Sequence, residues 1–400
     1  MNRLAISRST VSWISFAIMF VIGTDTFIVA PLLPTLADRF HVTTALSGWL
    51  VSAYALGYAA AALLSGPFSD TRDRRAVLLW GLLAFIGMTA LCGFAHGFVT
   101  MMTFRFFAGV SAAFVSPQVW ASIPVLVKRD AIVQTMGAAT SGLAIAQVIG
   151  IPLGAWLGSI SWHWTFWGIS AAAMALWLIL AKVFPSIGGR PRDGRSGMMV
   201  VYLDILKHRK LKLYLLAYLV FQTGNFEAIS FFGSWFHRQF GLTLTTIGLA
   251  MMILGVGFAV GALFGRHVVY RLGEYRALFS GIAALIVLYG IVPAVANVIV
   301  AVVLLALVMM VAGFIFPVFM STLQAQTEMA RGTVSALANA AMYIGVTIGG
   351  AVGGVLLSGP WGFRGVATFT ILSYGISVVI YAWAGAFREV WLYNNGRTPS

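Results

Sequence analysis

Residues 11–33 read VSWISFAIMFVIGTDTFIVAPLL, a run whose one charged residue, Asp25, sits near its middle. At 1.5 Å rise per residue a helix of this length crosses the hydrocarbon core of a bilayer, about 30 Å thick. A carboxylate at that depth costs roughly 2.5–3.5 kcal/mol on insertion scales, so it persists only where a partner or a function holds it. The run therefore predicts a spanning helix with a chemically significant position inside it.

The rest of the chain repeats this pattern. Of 400 residues 60% are hydrophobic and only 9% charged, with mean hydropathy +0.93, whereas a soluble domain carries about 25% charged residues. The apolar residues fall in runs of about 20, the length of spanning helices, rather than in the alternating segments of an outer-membrane barrel. Twelve runs are expected, six from Val11 to Phe184 and six from Leu213 to Phe387. The fold class is thus all-α integral membrane: a six-helix bundle over 1–184, a linker over 185–212, and a second bundle over 213–400 with a short tail. The net charge of +14 could suggest a nucleic-acid partner, but its placement argues otherwise. Of the 25 Lys and Arg residues, Arg39, Arg238 and Arg364 fall on one side of a twelve-span arrangement and Arg105 lies within a span; all the others fall on the opposite side. That is the positive-inside bias, which places both termini and the linker in the cytoplasm of a multi-pass protein of the cytoplasmic (inner) membrane and makes the lipid bilayer, not nucleic acid, the partner. Two arginines ahead of so long a first run, without a persuasive cleavage site, mark an uncleaved first helix. Cys92 stands alone among apolar neighbours and reads as a packing residue.

A second acid, Glu227, lies about as far into the seventh run as Asp25 lies into the first. Sliding one half onto the other by about 200 residues brings the two acids close together, sets Gly57, Ala61 and Ser65 on Gly257, Gly261 and Gly265, and sets Gly150 and Gly154 on Gly349 and Gly353. This is the signature of a duplicated bundle. Glycines at spacing four form a helix face that lets backbones approach closely, and such faces also permit rocking between bundles.

Three segments carry a resemblance. Gly66-Pro67-Phe68-Ser69-Asp70-Thr71-Arg72-Asp73-Arg74-Arg75, between the second and third runs, resembles the signature loop of the major facilitator superfamily. It keeps Gly66, Asp70, Arg74 and Arg75 but has Asp73 where the family usually has glycine. Arg105-Phe106-Phe107-Ala108-Gly109 is similar to the arginine motif of proton-coupled members. Gly150-Ile151-Pro152-Leu153-Gly154 is similar to the fifth-span motif of drug:proton antiporters, in the form found in the sugar-efflux and chloramphenicol-efflux subgroup. The resemblance implies the twelve-helix, two-bundle facilitator fold, a conformational latch at Gly66, Asp70, Arg74 and Arg75, a role for Arg105 in setting proton affinity, and export rather than uptake. Independently of it, a proline in mid-helix removes one backbone hydrogen bond and kinks the span, and Gly150 and Gly154 leave room beside Pro152.

The residues then suggest a secondary active exporter that exchanges protons for a small amphipathic, cationic or sugar-like compound by alternating access. Asp25, Glu227 and Arg105 are the candidates for proton coupling; a protonated acid simply bonded to a neighbouring helix is the plainer alternative for each acid. Tyr54, Tyr58, Gln118, Trp120, Gln147, Gln222, Asn225, Asn339 and Tyr343 join an apolar body to a polar tip and are candidates for lining a substrate cavity, or for ordinary interhelix hydrogen bonds. An uptake symporter or lipid flippase of the same fold would use the same residues. An enzyme is not indicated, because the six histidines are scattered with no metal-ligand spacing and no nucleotide loop is present; a channel would need no paired acids. The expected energy source is the proton gradient, with no cofactor and no metal, and the functional unit is a monomer.

Overall fold

The structure, a computed structural model, describes residues 7–70, 72–128, 131–188, 207–326 and 331–386. The described chain is all helix and turn. In order, the long helices are α1 (Arg8–Phe40), α2 (Trp49–Asp70), α3 (Arg74–Cys92) and α4 (Phe98–Leu126). Next come α5, which runs through Ile132–Ile145, Ala146–Gly150 and Ile151–Ile160, and then α6 (Trp162–Val183) and α7 (Arg209–Phe240). The remainder are α8 (Leu244–Leu272), α9 (Glu274–Ile291), α10 (Val298–Gln324), α11 (Arg331–Ser358) and α12 (Phe363–Trp383). Eleven helices among the described residues are long and apolar enough to cross a membrane. The long helix outside that set is α7, whose middle carries Gln222, Thr223, Asn225 and Glu227. Length is not what excludes it. The polar residues that make it chemically interesting dilute its hydropathy.

Contacts group the chain into two units, one of Met1–Asp193 with Phe232–Met252 and one of Gly194–Phe231 with Ile253–Ser400. The sequence places its division at 185–212; by contacts, the segment 232–252 also groups with the first unit. Of the linker, 189–206 lies outside the described residues.

Glycine determines how closely the helices approach within each unit. In the first, a Cβ on Gly57 of α2 would strike the carbonyl of Phe106 on α4, and one on Gly109 of α4 would strike the carbonyl of Tyr54. In the second, Gly261 of α8 meets the carbonyl of Met310 on α10, and Gly313 meets that of Phe258. All four pairs of positions (57 and 261, 106 and 310, 109 and 313, 54 and 258) differ by 204. The α1–α5 contact repeats as α7–α11 in the same way. Gly142 faces Phe16 and Phe20 while Gly345 faces Leu219 and Thr223; Gly150 faces Thr24 while Gly353 faces Glu227, an offset of 203 throughout. The offset near 200 drawn from sequence is therefore one helical turn short. Glycines recurring every four residues match equally well after a slip of four, and only the packing breaks the tie.

One irregularity separates the units. At Ala146–Gly150 the helix α5 widens to a π-turn in which the N–H of Ile151 bonds to the carbonyl of Ala146. It falls just before Pro152, which has no N–H to continue the ordinary ladder. Its counterpart α11 is α-helical throughout.

Replacing Gly57 by Val forces α2 away from α4 and should destabilise the protein by about 1–3 kcal/mol, the usual cost of overpacking. Gly87→Val on α3, where an added Cβ meets nothing within 4 Å, is the control. Thermal unfolding in detergent should show a lowered midpoint for the first variant and a near-native one for the second.

Candidate functional site

Asp25 lies on α1 between Thr24 and Thr26, whose hydroxyls bond back to the carbonyls of Phe20 and Ile22, both at 2.8 Å. Those threonines spend their donors on their own helix, so Asp25 must find its partner elsewhere. It finds Arg105 on α4, whose Nη1 donates to Asp25 Oδ2 at 2.8 Å and whose Nη2 lies 3.4 Å from the Asp25 carbonyl. Tyr54 on α2 completes the group, its ring 4.3 Å from the guanidinium carbon and its hydroxyl 3.2 Å from that of Thr26. Asp25 and Arg105 are both 0% exposed. Asp25 Oδ1 and Arg105 Nε are left without a protein partner, so the pair is compensated in charge but not saturated in hydrogen bonds. The close approach at Gly57 and Gly109 brings Tyr54 and Arg105 together.

The same places in the second unit hold no charge. At the measured offsets Asp25, Arg105 and Tyr54 correspond to Ala228, Met309 and Phe258. A buried ion pair is commonly matched or exceeded in stability by apolar residues of similar volume, and here one chain holds both versions on the same scaffold. The pair in the first unit is thus not what the packing requires.

Glu227 lies one residue from the counterpart of Asp25, near it as the half-chain shift suggested; it occupies the place of Thr24 and points toward α11 and α12. It is 0% exposed. Thr370 Oγ1 on α12 lies 2.9 Å from Glu227 Oε2 and 3.1 Å from the carbonyl of Gly224, and Glu227 Oε1 has no hydrogen-bond partner. A Cβ at Gly353 would meet Glu227 Cγ at 3.0 Å and one at Gly349 would meet its backbone nitrogen at 2.8 Å, so α11 forms a close seat for the acid.

The other candidates divide into those joined to these groups and those apart. Tyr58 is buried one turn from Tyr54. Gln222 donates to the Tyr218 hydroxyl at 2.8 Å and accepts from Asn225 at 3.4 Å, and Tyr374 on α12 donates to Asn225 at 3.3 Å. These two amides are thus partly engaged within their own unit. Gln118 is 1% exposed with neither amide atom partnered in the protein. Trp120 and Gln147 are half-buried, Gln147 on the π-turn; Tyr343 is buried and Asn339 exposed. None of the last five joins either acid through a hydrogen bond among the described residues. Sequence reasoning missed Tyr218, Thr370 and Tyr374. A polar stripe at Thr370, Ser373, Tyr374, Ser377 and Tyr381, recurring at three and four along the last span, was the available signal.

At the loop before α3, Asp73 is the N-cap with φ −63°, a value open to any residue, so the glycine usual in the family is not needed there. Its carboxylate accepts from Arg75 N at 3.0 Å, Ile187 N at 2.9 Å and Ser186 Oγ at 2.8 Å. Arg74 donates to the carbonyl of Ala121 on α4, and Arg75 to that of Ala181 in the last turn of α6, capping that helix end. Gly66 and Asp70 lie on α2, and the side chain of Asp70 falls outside the described residues.

The Major Facilitator Superfamily pattern matches residues 15–346. The chain belongs to this family. The uncharacterized MFS-type transporter YceJ of Bacillus subtilis (strain 168) is 46% identical to it over 369 residues, 92% of this chain and 95% of that protein. The chloramphenicol resistance protein of Streptomyces lividans is 28% identical over 245 residues, 60% of this chain and 61% of that one. Among solved structures, a D-xylose-proton symporter superposes with a TM-score of 0.75 at 14% identity, covering 93% of this chain and 97% of its own. At that identity the fold alone is shared. This facilitator is a multi-pass membrane transporter, and its relatives are transporters rather than enzymes.

Two predictions follow from the geometry. Arg105→Met leaves Asp25 buried without its cation and should destabilise the facilitator by about 3–5 kcal/mol, whereas the Asp25→Asn, Arg105→Met double variant recovers most of that loss; denaturant unfolding in detergent measures both. Asp73→Gly removes three acceptor contacts, and amide hydrogen exchange at Ile187 should rise at least tenfold.

Proposed function

We propose that this facilitator is a secondary active exporter that exchanges protons for a small amphipathic, cationic or sugar-like compound by alternating access. The observation that carries the reading is the buried Asp25–Arg105 pair beneath Tyr54, in packing positions that the second unit fills with Ala228, Met309 and Phe258. A pair that packing does not need, buried in a bilayer, is a functional position. Its chemistry suits proton exchange: Arg105 cannot lose its proton, so a proton arriving at Asp25 neutralises the acid, releases the guanidinium from its partner, and changes what α1, α2 and α4 prefer as neighbours. Glu227 contributes a second protonatable group from the other half.

In this reading the chain crosses the cytoplasmic membrane twelve times, α7 included, with both termini inside, as bundles 1–184 and 213–400 joined by 185–212. Gly66, Asp70, Arg74 and Arg75 latch one conformation, and Tyr54, Tyr58, Gln118, Trp120, Gln147, Gln222, Asn225, Asn339 and Tyr343 supply the substrate cavity. The protein works as a monomer on the proton gradient, without a cofactor. Export is supported by the Gly150-Ile151-Pro152-Leu153-Gly154 segment and by the chloramphenicol resistance relative.

Proteoliposomes of defined orientation, offered chloramphenicol, a cationic dye and a neutral sugar, test this. An imposed proton gradient should drive at least one of these compounds in the export direction. Asp25→Asn should reduce gradient-driven accumulation more than tenfold while leaving downhill exchange. Accumulation in the uptake direction, or undiminished coupling in Asp25→Asn, overturns the reading.

A further inference from the structure

Thr370 has two acceptors and one proton. Its Oγ1 lies 3.1 Å from the Gly224 carbonyl and 2.9 Å from Glu227 Oε2, yet a threonine hydroxyl donates a single hydrogen. If Glu227 were ionised, that hydrogen could answer one carboxylate oxygen, the Gly224 carbonyl keeping the helical N–H it has within α7, but a full negative charge would stay buried with Oε1 unpartnered and no cation beside it. If Glu227 carries a proton, every donor has a place: the carboxyl O–H donates to Thr370 Oγ1, and Thr370 donates to Gly224. We propose that Glu227 is held in this conformation as a neutral acid donating to Thr370, and is the proton-loaded site of the second unit, with Thr370 its positioning residue.

The surroundings agree. From α11 the acid meets the glycines 349 and 353 and from α12 it meets Thr370. The titratable groups that sense its charge are the phenols Tyr289 on α9 and Tyr374 on α12; no Lys, Arg or His pairs with it among the described residues. An unpaired carboxylate in such a seat is a charge without compensation. Asp25 has Arg105 and is the opposite case. The two acids therefore rest in different states, one ionised and paired, one neutral and seated between helices. Loss of the proton from Glu227 to water turns the carboxyl into a carboxylate that the seat cannot hold, so release requires α7 to separate from α11 and α12. Proton binding at Glu227 and closure of these helices are thereby one event.

The inference shares the protons of the cycle proposed above, but neither its substrate nor its direction. Infrared difference spectra of the full chain in lipid nanodiscs near neutral pH test it without transport. A protonated-carboxyl C=O band is expected that shifts on 13C-glutamate labelling of the wild type, disappears in Glu227→Gln, persists in Asp25→Asn, and moves to higher wavenumber in Thr370→Val as the carboxyl loses its acceptor. The labelling requires no variant to fold. Absence of the band, its insensitivity to labelled glutamate, or its survival in Glu227→Gln overturns the proposal; an unmoved band in Thr370→Val overturns the role of Thr370. The band present with no proton-driven export would overturn the transport reading alone.

Discussion

Backbone-to-backbone approach at glycine is the constraint on which both units depend. In a bilayer the lipid tails are as apolar as leucine, so helices gain little by merely hiding apolar surface and associate through tight packing and interhelix hydrogen bonds. Gly57 against Phe106, Gly109 against Tyr54, and their counterparts Gly261 against Met310 and Gly313 against Phe258 supply that packing in both units. Side chains near these crossings have little room for alternative rotamers. The geometry of Arg105 over Tyr54, and of Glu227 against α11, follows from it.

On this shared scaffold the chemistry has diverged. One unit carries an acid with its own cation; the other carries apolar residues at those positions and an acid one residue away along α7, about 100° around the helix. That rotation directs Asp25 toward α4 and Glu227 toward α11 and α12. Duplicated packing with unduplicated charge makes the halves alike in their helix crossings and distinct in their chemistry.

The fold was largely legible because bilayer insertion writes itself into composition: the runs of apolar residues and the lone charges within them require no tertiary information. The two members of the Asp25–Arg105 contact were also legible, since a charge inside a span stands out from its neighbours. What was not legible was anything that depends on helix phase. A slip of four leaves a glycine ladder aligned with itself while moving every other residue, so a shift of 200 brought the two acids only near each other and hid that Glu227 takes the place of Thr24. Asp73 was obscured for a different reason. It departs from the family pattern, and only the coordinates show that it caps α3 and holds Ser186 and Ile187 at once.

The π-turn of α5 has a geometrical consequence. A helix with one residue more than its hydrogen-bond ladder can use resembles a crystal row with a dislocation: the surplus residue turns the face bearing Gly154 relative to the face bearing Gly142. The first unit thus carries a fixed step in helix phase beside Thr24, the neighbour of Asp25, while the corresponding rod in the second unit, α11, is unbroken.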